Sequence, residues 1–232
     1  MLPSPLHPNR KVVTLRVILV VARKHLFPGL SPQGFLPSDS LDLEAVGDRM
    51  FFAERTYMEQ NSHYKQIIPY LVLTRGQGDD QRVLCYQRRT KHTEARLGGL
   101  WSVGFGGHIE PIDRADDTVQ TDGLIMATAQ RELVEETGLE PGREAFTMAG
   151  YVNSDSEDVS SVHLGVVFTI DLDGIPGSDD ELMELVSGQA EPHQARWVAA
   201  NALADMTGTE KGPDGGSFED WSRIAIGGLL TR

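Results

Sequence analysis

Glu132, Glu135 and Glu136 stand at i, i+3 and i+4 within the segment TDGLIMATAQRELVEETG. On a helix, side chains at these positions project from one face within about one turn. Like charges so placed repel by a few tenths of a kcal/mol per pair, and no Lys lies nearby in the segment to relieve them. A divalent cation would relieve them. Mg2+, or Mn2+ in its place, takes oxygen ligands and keeps several waters, which suits carboxylates facing a phosphate-bearing substrate. The competing reading is a solvated helix face on which Arg131 and Glu135 form an ordinary i, i+4 pair. Upstream, LGGLWSVGFGGHIE places Gly98, Gly99, Gly104, Gly106 and Gly107 among apolar residues. That pattern suits a strand end where backbone must approach another group closely.

These residues need elements to hold them. Thr121 or Asp122 can cap a helix that runs to Gly138, a residue able to enter the left-handed conformation that ends it. Before this helix, QIIPYLVLTR and QRVLCYQRR flank the turn-rich Gly76 to Asp80, which predicts an antiparallel hairpin. After it, Val162, Leu164, Val166, Phe168, Ile170 and Leu172 alternate with His163, Gly165, Val167, Thr169 and Asp171, which predicts a strand with one apolar face. VILVVA, from Val17 to Ala22, is a further strand. Pro28 to Ser40 reads as a loop, Leu41 to Met50 as a short helix, and Phe218 to Leu230 as a closing amphipathic helix. Strands on both sides of a central helix predict an α/β protein with a mixed sheet.

The 232 residues suit one elaborated domain, with 40% hydrophobic and 24% charged residues arguing against disorder. A net charge of −13 repels nucleic-acid backbones and anionic lipid heads, so neither a nucleic-acid polymer nor a membrane is expected as partner. One cysteine, Cys85, excludes an internal disulfide and a Cys-rich zinc site. With no signal-like segment and no long apolar run, the expected location is cytoplasmic. No P-loop pattern and no HExxH occurs, and Gly76-Gln77-Gly78 lacks a third glycine at Gln81.

The glycine loop and acidic helix resemble the Nudix (MutT-like) hydrolases, whose signature runs G-x5-E-x7-R-E-U-x-E-E-x-G-U, with U a bulky aliphatic residue. Gly107 opens the match, and Arg131, Glu132, Leu133, Glu135, Glu136, Gly138 and Leu139 complete its second half. Asp113 stands where the first Glu is expected, and 17 residues separate it from Arg131 where the signature has seven. The extra residues, from roughly Arg114 to Asp122, predict an exposed loop running into the helix. The QRR end of the hairpin, the Leu-Trp pair before the glycines and a later RWV extend the resemblance over about residues 64 to 205. YKQIIPY, GGHIEPID and EDWS resemble a MutT-related group of predicted phosphoesterases.

The resemblance implies an α/β/α sandwich around a mixed sheet. Residues 1–60 would be an extension packed on the same domain, and 61–232 the catalytic domain. It further implies metal-dependent hydrolysis of a small-molecule diphosphate linked to another group, usually a nucleoside, with room for a homodimer. Carried over by position, Glu132 and Glu136 become leading metal ligands, Glu135 a ligand or outer acceptor, and the Gly107 carbonyl a backbone ligand. Arg131 would orient a carboxylate; Gly106, Gly107 and either Arg88 or Arg89 would meet substrate. The general base stays open between the signature helix and a later loop, where Glu157, Asp158, Asp179, Asp180, Glu181 and Glu184 are the acids within reach, each with solvated loop charge as its ordinary reading.

Two other readings compete. An isopentenyl diphosphate isomerase shares the fold but looks for Cys-Gly-His where this chain has Gly106-Gly107-His108, and Cys85 sits in an expected strand as a small buried hydrophobe. A nucleotide-binding module without hydrolysis would normally show damaged metal ligands or a fused DNA-binding domain, whereas all three glutamates are present here.

Overall fold

In the computed structural model the described residues are 15–89, 98–114, 120–188, 192–207 and 211–230. The strands are β1 (Val17–Ala22), β2 (Gly34–Pro37), β3 (Met50–Glu54), β4 (Tyr64–Arg75), β5 (Arg82–Arg88), β6 (Trp101–Ser102), β7 (Gly104–Phe105), β8 (Phe146–Asn153), β9 (His163–Asp171) and β10 (Pro192–Ala199). Single-turn helices α1 (Arg23–Leu26), α2 (Arg55–Met58) and α4 (Asp158–Ser161) sit at strand ends. The longer helices are α3 (Thr121–Thr137), α5 (Asp179–Ser187), α6 (Ala200–Thr207) and α7 (Asp220–Leu230).

β4 organises the sheet because its apolar run is buried along both faces, as a central strand covered by helices requires. It pairs in parallel with β9 from Gln66↔His163 to Thr74↔Asp171. Along its other edge it changes neighbours: β1 near Tyr64, β7 at Leu71 and Val72, and β5 only at Thr74 and Arg75. The predicted hairpin is therefore closed at its turn and opened by β7 farther along. The full order β10-β5-β4-β9-β8-β2 is mixed, with β1 joining β4 to β3.

Two apolar layers sandwich this sheet. One side packs Leu124, Ile125, Ala129 and Leu133 of α3 against Leu71, Leu164 and Phe168. The other packs Ala225 and Ile226 of α7 against Tyr70, Val72 and Val167. β9 thus departs from the one-faced expectation. Its intervening Gly165 and Val167 are buried too, because α7 covers the second face. The mixed sheet with flanking helices is the expected α/β/α sandwich.

The residues before β4 differ from expectation at two places. Within the expected loop, Gly34–Pro37 form β2 and pair with Asn153 to Gly150 of β8, a four-residue strand too short to show alternation. The expected helix over Leu41 to Met50 is a run of turns and one 3-10 turn, Gly47–Arg49. Asp42 Oδ1 accepts the Ala45 N–H at 2.9 Å, the local competition that makes Asp a turn former.

α3 ends as expected at Gly138, φ +71°, whose N–H reaches the Val134 carbonyl at 2.9 Å. Its start is different. Gln120 is the N-cap and makes no side-chain cap; the Asp122 N–H is satisfied instead by Glu44 Oε1 at 2.6 Å, from a distant turn. Residues 115–119 of the expected insertion loop lie outside the described residues. No helix among the described residues is long and apolar enough to cross a membrane.

Candidate active site

The last turns of α3 lie beside the chain leaving β7. The Gly106 N–H donates to Glu136 Oε2 at 3.2 Å, and a Cβ built on Gly107 would overlap the Glu132 carboxylate. Glycine at 107 therefore lets backbone meet the carboxylate directly. These groups border a cleft of about 560 Å³ that also holds Glu135 and His108.

Arg131 organises this corner. Its Nε and Nη2 donate to Asp113 Oδ1 and Oδ2 at 2.6 and 2.9 Å, and Nη2 also reaches the His108 carbonyl at 3.1 Å. Nη1 donates to Glu132 Oε1 at 2.6 Å and to Glu135 Oε2 at 3.2 Å. The i, i+4 pair weighed from spacing is thus present, as one arm of a larger network. Arg131 itself relieves part of the crowding among the glutamates. Burial tends to raise the Asp113 pKa, but hydrogen bonds from Arg131 and the Glu110 N–H outweigh it and hold the carboxyl below its usual value. Glu132 goes the other way: burial raises it against the pull of Arg131. Glu135 is the outermost, with its side chain 58% exposed.

Among the described residues no group of three His, Cys, Asp or Glu side chains is gathered into a ready metal cage. The donor chemistry nonetheless fits a hard divalent cation: the carboxylates of Glu132 and Glu136 converge on the glycine loop as hard oxygen donors. Mg2+ ordinarily completes its shell with water and substrate oxygens rather than with protein alone.

The opposite wall comes from α7 and from residues that sequence patterns did not single out. Buried Glu219 accepts hydrogen bonds from Arg88 Nε at 2.9 Å, Ser102 Oγ at 2.7 Å and Tyr70 OH at 3.1 Å. Arg88 lines the cleft, and Glu219 and its neighbours raise its pKa against the effect of burial. Arg89 is exposed, donates to the Ser187 carbonyl at 3.5 Å and is not among the cleft residues. Glu219 belongs to the EDWS tetrapeptide, the one signal that could have flagged it.

Of the acids considered as bases, Glu157 lines the cleft. Asp179 instead pairs with Arg75 and Arg82, Glu181 caps its own helix through Ser178, and Asp180 and Glu184 share α5, which does not border the cleft. Asp158 opens the α4 turn and is not among the lining residues.

Two histidines floor the cleft. His163 Nδ1 lies 2.7 Å from the Val159 carbonyl and so carries its proton there, while its Nε2 is 3.3 Å from His108 Nε2. His108 Nε2 also meets Gln66 Oε1 at 2.8 Å. Burial, then the neighbouring His163, Arg55 and Arg16 charges, push His108 down to about 2; burial pushes His163 down to about 4. Cys85 is fully buried, with its thiol pushed up by desolvation and no place in the cleft. This removes the cysteine that an isomerase reading needs.

The chain matches the NUDIX domain over residues 67–219. It belongs to the Nudix family. Protein YmaB of Bacillus subtilis strain 168 is 31% identical over 197 residues, covering 81% of this chain and 87% of that protein. The crystal structure of Tm1382, described as a candidate Nudix hydrolase, covers 93% of this chain and 98% of its own, with 24% identity and a TM-score of 0.63. The NUDIX domain of Shewanella oneidensis NrtR, solved with ADP ribose, is 18% identical over 61% of this chain and 77% of its own, with a TM-score of 0.40. Nudix membership places the chain in a family of hydrolases of nucleoside-diphosphate-linked compounds, which as a group use divalent metals.

Proposed function

We propose that the cleft hydrolyses a diphosphate linkage in a nucleoside diphosphate derivative or a related compound. Mg2+ or Mn2+ would be held by Glu132, Glu136, Glu135 and the Gly107 carbonyl. The observation that carries this reading is the convergence of Glu132 and Glu136 on the Gly106–Gly107 backbone at the edge of the cleft. Bound there, a divalent cation would neutralise charge on the bridging and leaving oxygens and acidify a water.

The protein's own groups do the rest. Arg131 fixes the orientation of Glu132 while Asp113 fixes Arg131, so the carboxylate is preorganised. The Gly106 N–H fixes one oxygen of Glu136. Arg88, held at Nε by Glu219, brings a permanent positive charge to a phosphate oxygen. Glu157, on the loop between β8 and β9 and in the cleft lining, would accept the proton from the attacking water.

A binding module without hydrolysis is the second reading. Its specific support is that Arg131 already satisfies Glu132 and Glu135. A panel of nucleoside diphosphate derivatives separates the two, assayed with Mg2+ or Mn2+ in ¹⁸O water. Hydrolysis predicts labelled phosphate-containing products that vanish with chelator. Binding of panel members with no product under either metal rejects hydrolysis in favour of the module.

A further inference from the structure

Two arginines from the N-terminal segment stand in the cleft wall and have no part in the reaction just described. β1 and β3 are antiparallel, with Ile18 opposite Ala53 and Val17 opposite Glu54. One step beyond, the Arg55 N–H donates to the Arg16 carbonyl at 2.8 Å, which sets Arg16 against Arg55. Arg16 thus precedes β1 and Arg55 opens α2, their backbones joined at the end of the ladder. Both side chains line the same cleft as Glu132 and Glu136.

Neither arginine is used up by the protein. Arg16 is held only through Nη2, to Glu110 Oε1 at 3.0 Å, and Arg55 only through Nε, to Glu59 Oε1 at 2.6 Å. A guanidinium has five N–H donors, so most donors of both forks lack a protein acceptor among the described residues. The Arg16 side chain is 59% exposed and that of Arg55 21%, so solvent or an anion entering the cleft can reach them. An ion pair at or near the surface with a single contact holds its partner weakly and is readily shared with an incoming anion. The other cleft arginines are committed elsewhere: Arg131 makes five hydrogen bonds around Asp113 and the glutamates, and Arg88 is tied to Glu219.

We propose that Arg16 and Arg55 form an anion subsite for a phosphate or carboxylate that the substrate carries outside the diphosphate to be cleaved. Two guanidinium forks reaching the same cleft can share the oxygens of one such group. The subsite gives residues 15–60 a role in choosing the substrate. The inference rests on the reading of this cleft as the site of a diphosphate substrate.

The test uses matched compounds that differ by one anionic group: NADPH against NADH, and UDP-glucuronate against UDP-glucose. Affinities are measured by calorimetry with and without Mg2+, and hydrolysis is followed separately. In at least one pair the parent protein should bind the more anionic member at least tenfold tighter. Arg16→Gln with Arg55→Gln should abolish that preference, leave the affinity of the other member within about twofold, and keep Tm near that of the parent. Arg16→Lys with Arg55→Lys should restore part of it, because the charge returns without the fork. If the Gln variant unfolds, Arg16→Gln alone, at the more exposed position, must still reduce the preference. The two phosphate and carboxylate pairs show which anion the subsite takes. Anion-dependent binding without hydrolysis keeps the subsite and rejects the hydrolase. Hydrolysis without preference in either pair, a preference untouched by the substitutions, or no binding of any compound overturns the subsite.

Discussion

Asp113 grips Arg131 across 18 positions of sequence through two parallel hydrogen bonds, Nε to Oδ1 at 2.6 Å and Nη2 to Oδ2 at 2.9 Å. The Asp113 side chain is only 2% exposed, so the pair is a desolvated, bidentate one. Removing the Asp113 charge strips Arg131 of its bidentate partner and leaves it only the Nη1 contacts to Glu132 and Glu135 as ion pairs. Asp113→Asn should therefore cost about 2 to 4 kcal/mol of stability in urea unfolding. Loss of a group that orients a metal ligand typically costs about 10- to 100-fold in metal affinity or activity, and the same range is expected here in kcat or in the metal concentration needed for half activity. Unchanged unfolding and unchanged metal response would remove Asp113 from the network.

Glu136→Gln tests the carboxylates themselves. It keeps the volume and an oxygen able to accept from the Gly106 N–H, while deleting one charge of the three. Turnover should fall by on the order of a hundredfold or more, with Tm unchanged or slightly raised as repulsion is relieved. Glu140→Gln, exposed and outside the cleft, is the control. Excess chelator should likewise abolish hydrolysis without altering the far-UV circular dichroism. Turnover within a few-fold of the parent at saturating metal would return the glutamates to the status of a solvated face.

The acidic helix was legible because its information is local. The i, i+3, i+4 spacing and a terminal glycine survive any tertiary arrangement, and α3 ends at Gly138 as the pattern demands. What was not legible depends on elements that meet only in the fold. Glu219 is one acid ahead of a helix; its burial depends on Arg88, Ser102 and Tyr70 arriving from β5, β6 and β4. β9 looked one-faced because its polar residues, His163, Thr169 and Asp171, sit toward its ends, whereas the middle carries Gly165 and Val167 under α7. The insertion between Asp113 and Arg131 hid their pairing, since a spacing rule cannot see that a lengthened loop still returns to the same partner. The opposition of Arg16 and Arg55 depends on β3, which begins at Met50, the last residue of the expected helix, and otherwise runs through a stretch to which the sequence pattern assigned no element.

His163 makes stability depend on acidity with a definite sign. Its folded pKa is pushed down to about 4, mainly by burial, against about 6.5 in an unfolded chain. Between these values the unfolded chain binds more protons than the folded one, so stability falls as pH drops through this window and is fully present above about 6.5. His108, lowered further by burial, acts in the same direction. One such group contributes a slope of at most about 1.4 kcal/mol per pH unit. His163→Phe keeps a ring against Trp221, which the histidine meets edge to face, and removes the titration. Melting curves from pH 7 to 4 should be less steep in pH for this variant; identical slopes would rule out His163 as a source.

The loop carrying Glu157 is tied to the N-terminal segment through Asp155. Arg23 donates to both oxygens of Asp155 at 2.7 and 2.9 Å, Gln33 Nε2 donates to Asp155 Oδ2 at 3.0 Å, and the Asp155 N–H donates to Gln33 Oε1 at 2.7 Å. Lys65 Nζ, on a fully buried side chain, approaches the same carboxylate at 3.2 Å. Burial, with the Arg23 charge adding to it, pushes the Lys65 pKa down to about 8, while Arg23 above all holds Asp155 down to about 2. One carboxylate therefore serves two cations. Asp155→Asn leaves both without a counter-charge, one of them in the interior, and should cost about 3 kcal/mol or more. Lys65→Met removes a buried charge and fills its place with an apolar chain, so its effect should be near neutral or stabilising. The double variant should then recover part of what Asp155→Asn loses, a coupling that urea unfolding of the four proteins measures directly. Hydrogen exchange adds the functional link: in Asp155→Asn the amides of residues 154–161 should lose protection and kcat should fall, because Glu157 is no longer held at the cleft. If Lys65→Met destabilises as much as Asp155→Asn and the double variant is simply additive, the cations are not coupled through Asp155, and the loop must be held chiefly by the Ser154 and Ser156 hydroxyls that donate to Asp220.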